Sequence, residues 1–260
     1  LAAAALLFLL ALVHFFVNHP RNFANNSRVL LIFGAILLHI GAIKVITPLL
    51  VATGWQGSGW QGLGLILVLP YALAPMLLTS LIDRNLGLFA AISTSFFGGL
   101  LMPLAAAFPY LFINLFTGFV AVMATSQLRQ RRRFLRAGFY CGLAVMAGCL
   151  VFGFLDIVRG AEGEILGMEM LWRTGVPLIV GVGTGFMIAA SLPLLERAFQ
   201  ATSNVSWVEL ADLNHPLLRR LSMEAPGTYH HSLMVANLAE AGAGAIGANV
   251  TMCRVGAYFH

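Results

Sequence analysis

Apolar residues recur in this chain as long runs separated by short polar breaks, and the charges in those breaks alternate. A hydrocarbon core takes about 20 apolar residues per crossing helix. Such runs fall at about 1–17, 28–52, 61–82, 86–108, 110–127, 137–157 and 172–195. The breaks after the first, third and fifth hold Arg21 and Arg28, then Arg84, then Arg129, Arg131, Arg132, Arg133 and Arg136. Those after the second and fourth hold no charge, and the one after the sixth is acidic on balance, with Asp156, Glu162, Glu164 and Glu169 against Arg159 and Arg173. Basic residues collect on the cytoplasmic side of membrane spans. The pattern therefore predicts seven spans, the first running inward and the last delivering the C-terminal tail to the cytoplasm. Trp55, Trp60 and Trp172 then fall at the outer interface, where amphipathic rings are favoured.

Composition agrees. Hydrophobic residues make up 59% and charged residues 10% of 260, against about 45–50% and 25% in a soluble domain. Mean hydropathy is +0.87. A soluble enzyme on a simple anchor, a disordered chain and a disulfide scaffold are all excluded; Cys141, Cys149 and Cys253 form no framework. Residues 1–195 carry 11 basic and 5 acidic groups, and residues 196–260 carry 4 and 5. The basic excess thus belongs to the membrane part and speaks to topology, so a nucleic acid polymer is not an expected partner. The chain opens on Leu1-Ala-Ala-Ala-Ala and closes at His260 inside a helical pattern, and it reads as an internal stretch of a longer protein.

Within the spans, Gly181-Val-Gly183-Thr-Gly185 follows no strand, which excludes a dinucleotide loop. Gly181 and Gly185 instead make a small-residue face for close helix packing. Pro70, Pro75, Pro177 and Pro193 are expected to kink their helices. The boundary between the fourth and fifth spans is drawn at Ala107-Phe108-Pro109, with Pro103 as the other break. His39 and Lys44 are costly if they face lipid. His39 is expected to face a neighbouring helix, and Lys44 to extend toward the headgroups.

From Glu196 the character changes to a helical tail with no strand signal. The expected domains are a membrane part over 1–196, a linker over 197–206 and a cytoplasmic part over 207–260. Ser206-Trp-Val-Glu209 has the spacing of a capping box. Pro216 suits the first turn of a helix running to Met223. Thr228 is a cap candidate for a helix to about Ala245, and Asn249 for a last helix to His260. His231, with Val235 and Leu238 at i+4 and i+7, is expected on a buried face. His260 lies in line with Val255 and Ala257. Two such imidazoles on adjacent antiparallel helices can converge on one metal, and imidazole suits iron, manganese and zinc. Arg219 and Arg220, like the arginine-rich break at 129–136, read as a solvated face or as contacts to the inner membrane surface.

Two stretches of the tail form a specific pattern: Glu209-Leu-Ala-Asp-Leu-Asn-His-Pro-Leu-Leu-Arg-Arg-Leu, and Glu224-Ala-Pro-Gly-Thr-Tyr-His-His-Ser-Leu-Met-Val-Ala-Asn-Leu-Ala-Glu. With Arg254-Val-Gly-Ala-Tyr-Phe-His260 they resemble the start of the HD-domain phosphohydrolases. More narrowly, the chain resembles the seven-transmembrane HD family of bacterial cyclic di-AMP phosphodiesterases. The resemblance implies an all-α fold: a seven-helix membrane bundle followed by the first helices of a cytoplasmic HD domain. It implies that His231 is the first metal-binding histidine and that His260 is the histidine of the His-Asp pair. His230 is implied to be a neighbour of the site. Two divalent transition metal ions, iron or manganese, are the implied cofactors, cyclic di-AMP or a related cyclic dinucleotide the substrate, and the linear dinucleotide the product. The partner aspartate and the later ligands would follow His260, so residues 1–260 alone are expected to be inert. The expected location is the inner (plasma) membrane, as a multi-pass protein; a homo-oligomer is compatible with it. Two readings compete: a transporter, channel or receptor bundle with a regulatory tail, and a family member that binds the dinucleotide without cleaving it.

Overall fold

The computed structural model describes residues 13, 16, 26–52, 67–126, 130–153 and 166–260. Among them every regular element is a helix, and there is no strand. The chain divides into two compact units, Leu1–Ala201 and Thr202–His260.

The first unit contains α1 (Asn26–Ala52), α2 (Leu73–Leu81), α3 (Arg84–Leu101), α4 (Leu104–Thr125), α5 (Arg133–Val151) and α6 (Leu166–Phe199). Among the described residues, four stretches are long and apolar enough to cross a membrane: Asn26–Leu49, Ala106–Thr125, Arg133–Val151 and Thr174–Phe199. They correspond to the second, fifth, sixth and seventh expected spans. Trp55, Trp60 and all of the first span except Val13 and Phe16 lie outside the described residues. The fourth span is the shorter α3, 18 residues with Arg84, Asn85 and the Ser93-Thr94-Ser95 triplet, which make it more polar.

Three expectations about proline need correction. The boundary between α3 and α4 falls at Met102-Pro103 and not at Pro109, because the residue before a proline is pushed out of the helical region. Met102 is extended (φ −82°, ψ 151°), and the Pro103 carbonyl accepts from the Ala106 and Ala107 N–H groups at 2.8 and 2.9 Å to start α4. Pro109 rides inside α4, as membrane helices tolerate. Pro70 kinks no helix, since Leu69 and Pro70 are themselves non-helical. Pro75 is the third residue of α2, where an N–H would lack an intrahelical partner in any case. Pro177 and Pro193 do lie inside the long α6.

Asn114 of α4 reaches across to the turn that precedes α2. Its side-chain amide lies 3.2 Å from the Tyr71 carbonyl oxygen and 3.0 and 3.1 Å from the Thr94 and Ser95 hydroxyl oxygens. All three polar side chains are fully buried, so one amide ties the start of α2, α3 and α4 together. The Tyr71 and Tyr110 rings lie beside this knot, 5.6 Å apart.

Helices α5 and α6 meet backbone to backbone, as the glycine spacing predicts. A Cβ added to Gly181 would sit 2.7 Å from the Gly142 nitrogen, and one added to Gly142 would sit 2.8 Å from the Leu178 Cα. Gly138 and Gly185 face main-chain atoms of the opposing helix in the same way, whereas Gly183 faces open space. His39 is buried and Lys44 exposed, as expected.

In the second unit α7 is Asn204–Leu210, α8 Pro216–Glu224, α9 Pro226–Ala245 and α10 Val250–Tyr258. The caps differ from expectation twice. Ser203, not Ser206, caps α7 by accepting from the Ser206 N–H at 3.2 Å. Helix α9 starts at Pro226, not Thr228, with Ala225 shared as the last residue of one helix and the first of the next. Pro at a first helical position costs no hydrogen bond. Gly247 (φ 67°) stops the chain after α9, and Asn249 caps α10, as predicted, by accepting from the Met252 N–H at 3.0 Å.

Candidate metal centre

The second unit has a small core of Leu218 from α8, Ala236 from α9, and Ala257 and Tyr258 from α10. Small side chains bring α9 and α10 close together, and this register sets where the histidines fall. The inward residues of α9 are Ser232, Ala236 and Ala243. His231 precedes the first of them and lies at the border of the packed face. The expectation that it shares a buried stripe with Val235 and Leu238 is therefore corrected. His231 is exposed, and Leu238 is 73% exposed. Alanine and serine allow the close approach, so the packed face is centred on them; Tyr229, Leu233 and Val235 are half-buried against it, and Leu238 is left outside.

Helix α10 ends at Tyr258, with Phe259 as its cap, and His260 follows as the chain leaves the helix. Its ring comes within 5.6 Å of the His231 ring, centroid to centroid, at 54°. The two histidines singled out by sequence thus converge. His260 Nδ1 lies 2.7 Å from the Ala257 carbonyl. A carbonyl can only accept, so Nδ1 carries a proton, and in the neutral ring Nε2 is the nitrogen with the lone pair. Metal-ligating histidines are oriented by such an outer hydrogen bond. His230 is exposed and contacts the Tyr229 ring. Among the described residues no group of three or more histidine, cysteine or acidic side chains is placed to hold a metal.

Two features near the pair carried no sequence signal. His215, which caps α8, sets its ring edge-on to Phe259 at 5.4 Å, next to His260. Arg254 of α10 bridges to Glu240 of α9 at 3.0 Å and donates from Nε to the Tyr258 hydroxyl at 2.6 Å. That hydrogen bond is the main cause of the raised Arg254 pKa. The bridge spans α9 and α10, and only a fold could have paired those residues. Arg220 pairs with Glu224 at 2.8 Å along an exposed face of α8, in keeping with a solvated role.

Residues 1–203 match the family described as a 7TM receptor with intracellular HD hydrolase. The chain belongs to this family. Its relatives include the cyclic-di-AMP phosphodiesterase PgpH of Bacillus subtilis, 29% identical over 98% of this chain and 35% of that protein. The PgpH of Listeria monocytogenes is 34% identical over 74% of this chain and 26% of that protein. The chain therefore spans about a third or less of the curated relatives it matches. No solved structure matches it. The family match covers the membrane helices and stops where α7 begins, and the histidine pair lies beyond it.

Proposed function

We propose that this chain is part of a membrane-bound, metal-dependent phosphodiesterase that hydrolyses cyclic di-AMP to the linear dinucleotide in bacterial second-messenger signalling. Residues 1–196 form its seven-span membrane domain, 197–206 a linker, and 207–260 the N-terminal part of a cytoplasmic HD domain. The protein sits in the plasma membrane with the tail on the cytoplasmic side. The approach of His231 to His260, in a chain of this family, is the observation that carries the reading.

The donor chemistry fits a transition metal. Both candidate ligands are imidazoles, and His260 keeps Nε2 free while Nδ1 is held by the Ala257 carbonyl. When bound, a divalent iron or manganese pair would lower the pKa of a bound water and offset charge developing on phosphorus. The chain's own contribution is positional. Helix α9 presents His231, the end of α10 presents His260, and the Ala236–Ala257–Tyr258 contact fixes their register. Both rings are open to solvent, which suits a site that must admit a dinucleotide. Two imidazoles leave coordination positions to be filled by other groups, so residues 1–260 alone are inert in this reading.

The test uses the full-length protein. His231→Ala and His260→Ala should each abolish cyclic di-AMP hydrolysis and lower the bound iron or manganese measured by elemental analysis, with binding of a non-hydrolysable analogue retained. Wild-type metal content and turnover in either variant would reject the assignment. Turnover by purified residues 1–260 with added manganese would reject the division of the site.

A further inference from the structure

We propose that the start of α5 is a binding site for a phosphate group at the headgroup level of the membrane. Gln130, Arg132, Arg133 and Arg136 line a pocket of about 130 Å³. The backbone beneath it is fixed. The Arg133 N–H donates to the Gln130 carbonyl at 3.0 Å and the Phe134 N–H to the Arg131 carbonyl at 3.1 Å. Phe134 is fully buried, and its carbonyl lies against Gly185 of α6.

The charges around this pocket are arranged against themselves. Three guanidinium side chains sit within about one turn of a helix start, where the macrodipole already disfavours cations, and α5 has no acidic residue in its first turn. Among the described residues no carboxylate pairs with Arg132, Arg133 or Arg136. The polar partner present is Gln130, whose Oε1 accepts from Arg132 Nε at 3.0 Å and so orients that guanidinium without neutralising it. Orientation in a loop setting topology is superfluous, because that role needs only charge. Planar guanidinium forks are instead suited to bidentate phosphate recognition. An anion bridging the three groups would relieve both the mutual repulsion and the opposition to the helix dipole. The position at the end of a membrane-crossing helix, beside the apolar Phe134 and Leu135, points to a phospholipid headgroup. Assigning the inner leaflet rests on the topology proposed above; the phosphate site itself does not, because in detergent both ends of the bundle are accessible.

The experiment uses the whole chain, delipidated in a neutral detergent, with binding of phosphatidylglycerol and phosphatidylcholine measured in mixed micelles. The wild type should prefer phosphatidylglycerol by about tenfold or more. Arg132→Gln with Arg133→Gln and Arg136→Gln should weaken that preference by about tenfold. Arg219→Gln with Arg220→Gln, removing charge elsewhere, should leave it unchanged. Gln130→Leu guards against misfolding of the triple variant: it keeps every charge, and it should weaken the preference by releasing Arg132. Inorganic pyrophosphate separates the sources. Resistance of the bound lipid to pyrophosphate assigns the headgroup, whereas displacement from the wild type but not from the triple variant assigns a soluble phosphate at the same groups. An unchanged lipid preference in the triple variant, or an equal loss on removing Arg219 and Arg220, overturns the proposal.

Discussion

The two units solve the same problem, holding helices together, with different contacts. In the membrane unit, α5 and α6 join through glycines and bare backbone, and α2, α3 and α4 join through one buried amide. Large apolar residues face outward there, with Leu104 at 94% exposure. In the tail, α8, α9 and α10 join through a short apolar core, Leu218 and Tyr258 around Ala236 and Ala257, and one half-exposed ion pair. Its large apolar residues also face outward, Met223 at 73% and Ile246 at 81%. Outward leucine costs nothing in a bilayer, because lipid tails are as apolar as leucine. Helices there cannot associate by hydrophobic burial and must use close approach and hydrogen bonds. In water the same exposure forgoes about 25 cal/mol per Å², so the tail's small core is the weaker of the two assemblies.

The largest effect should come from the glycine seam. Gly181→Ala places a methyl against main-chain atoms that cannot swing aside, and overpacking of this kind costs about 1–3 kcal/mol. Gly183→Ala, two residues away and facing open space, should be neutral. Thermal unfolding of the two variants in one detergent decides the matter, and equal shifts would break the idea that the membrane unit closes through backbone contact. Asn114→Leu comes next. It removes the amide that links the turn before α2 to Thr94 and Ser95 of α3. Interhelical hydrogen bonds in membranes average about 0.6 kcal/mol and reach about 1.7, so we expect about 1 kcal/mol. A loss below the scatter of the assay would leave α2 anchored by its apolar contacts alone.

The same contrast explains what could be read without coordinates. Gly181 and Gly185 were legible because close packing in lipid demands small residues at i and i+4, a purely local spacing. His231 and His260 were legible as a pair through their motif, and Asn249 through cap chemistry. The errors lie where two local signals compete. Pro103 and Pro109 both offered a break, and the chain takes the first. The spacing points to Ser206 and Thr228 as caps, whereas Ser203 caps α7 and α9 begins at Pro226. The burial of α9 was misjudged because periodicity picks out large apolar residues, whereas this interface is centred on small ones. Asn114 and Arg254 were invisible for another reason. Each acts on a partner made relevant only by folding: the Tyr71 carbonyl in the turn before α2, and Glu240 on the preceding helix.

The smallest effect belongs to that last contact, and it sharpens the comparison most. Glu240 and Arg254 are each more than a third exposed, so solvent screens their attraction, and such pairs are worth about 0.2–1 kcal/mol. Glu240→Gln should therefore lower the stability of the tail by at most about 1 kcal/mol. The loss should shrink as ionic strength rises and the Debye length falls from about 10 Å at 0.1 M toward about 3 Å at 1 M. The destabilisation by Gly181→Ala, which is steric, should not respond to salt. Measuring both variants in the full-length protein at low and high salt, by proteolysis of the tail and by thermal unfolding of the bundle, separates the two kinds of joint. Tyr258 couples the pair to the metal-site reading, because it receives the Arg254 hydrogen bond two residues before His260. If the clamp also sets the end of α10, Glu240→Gln weakens metal retention even at a salt concentration where stability is unchanged. If retention follows stability alone, the clamp is only a fastener between α9 and α10, and the position of His260 is set by the small-residue packing of Ala236 against Ala257.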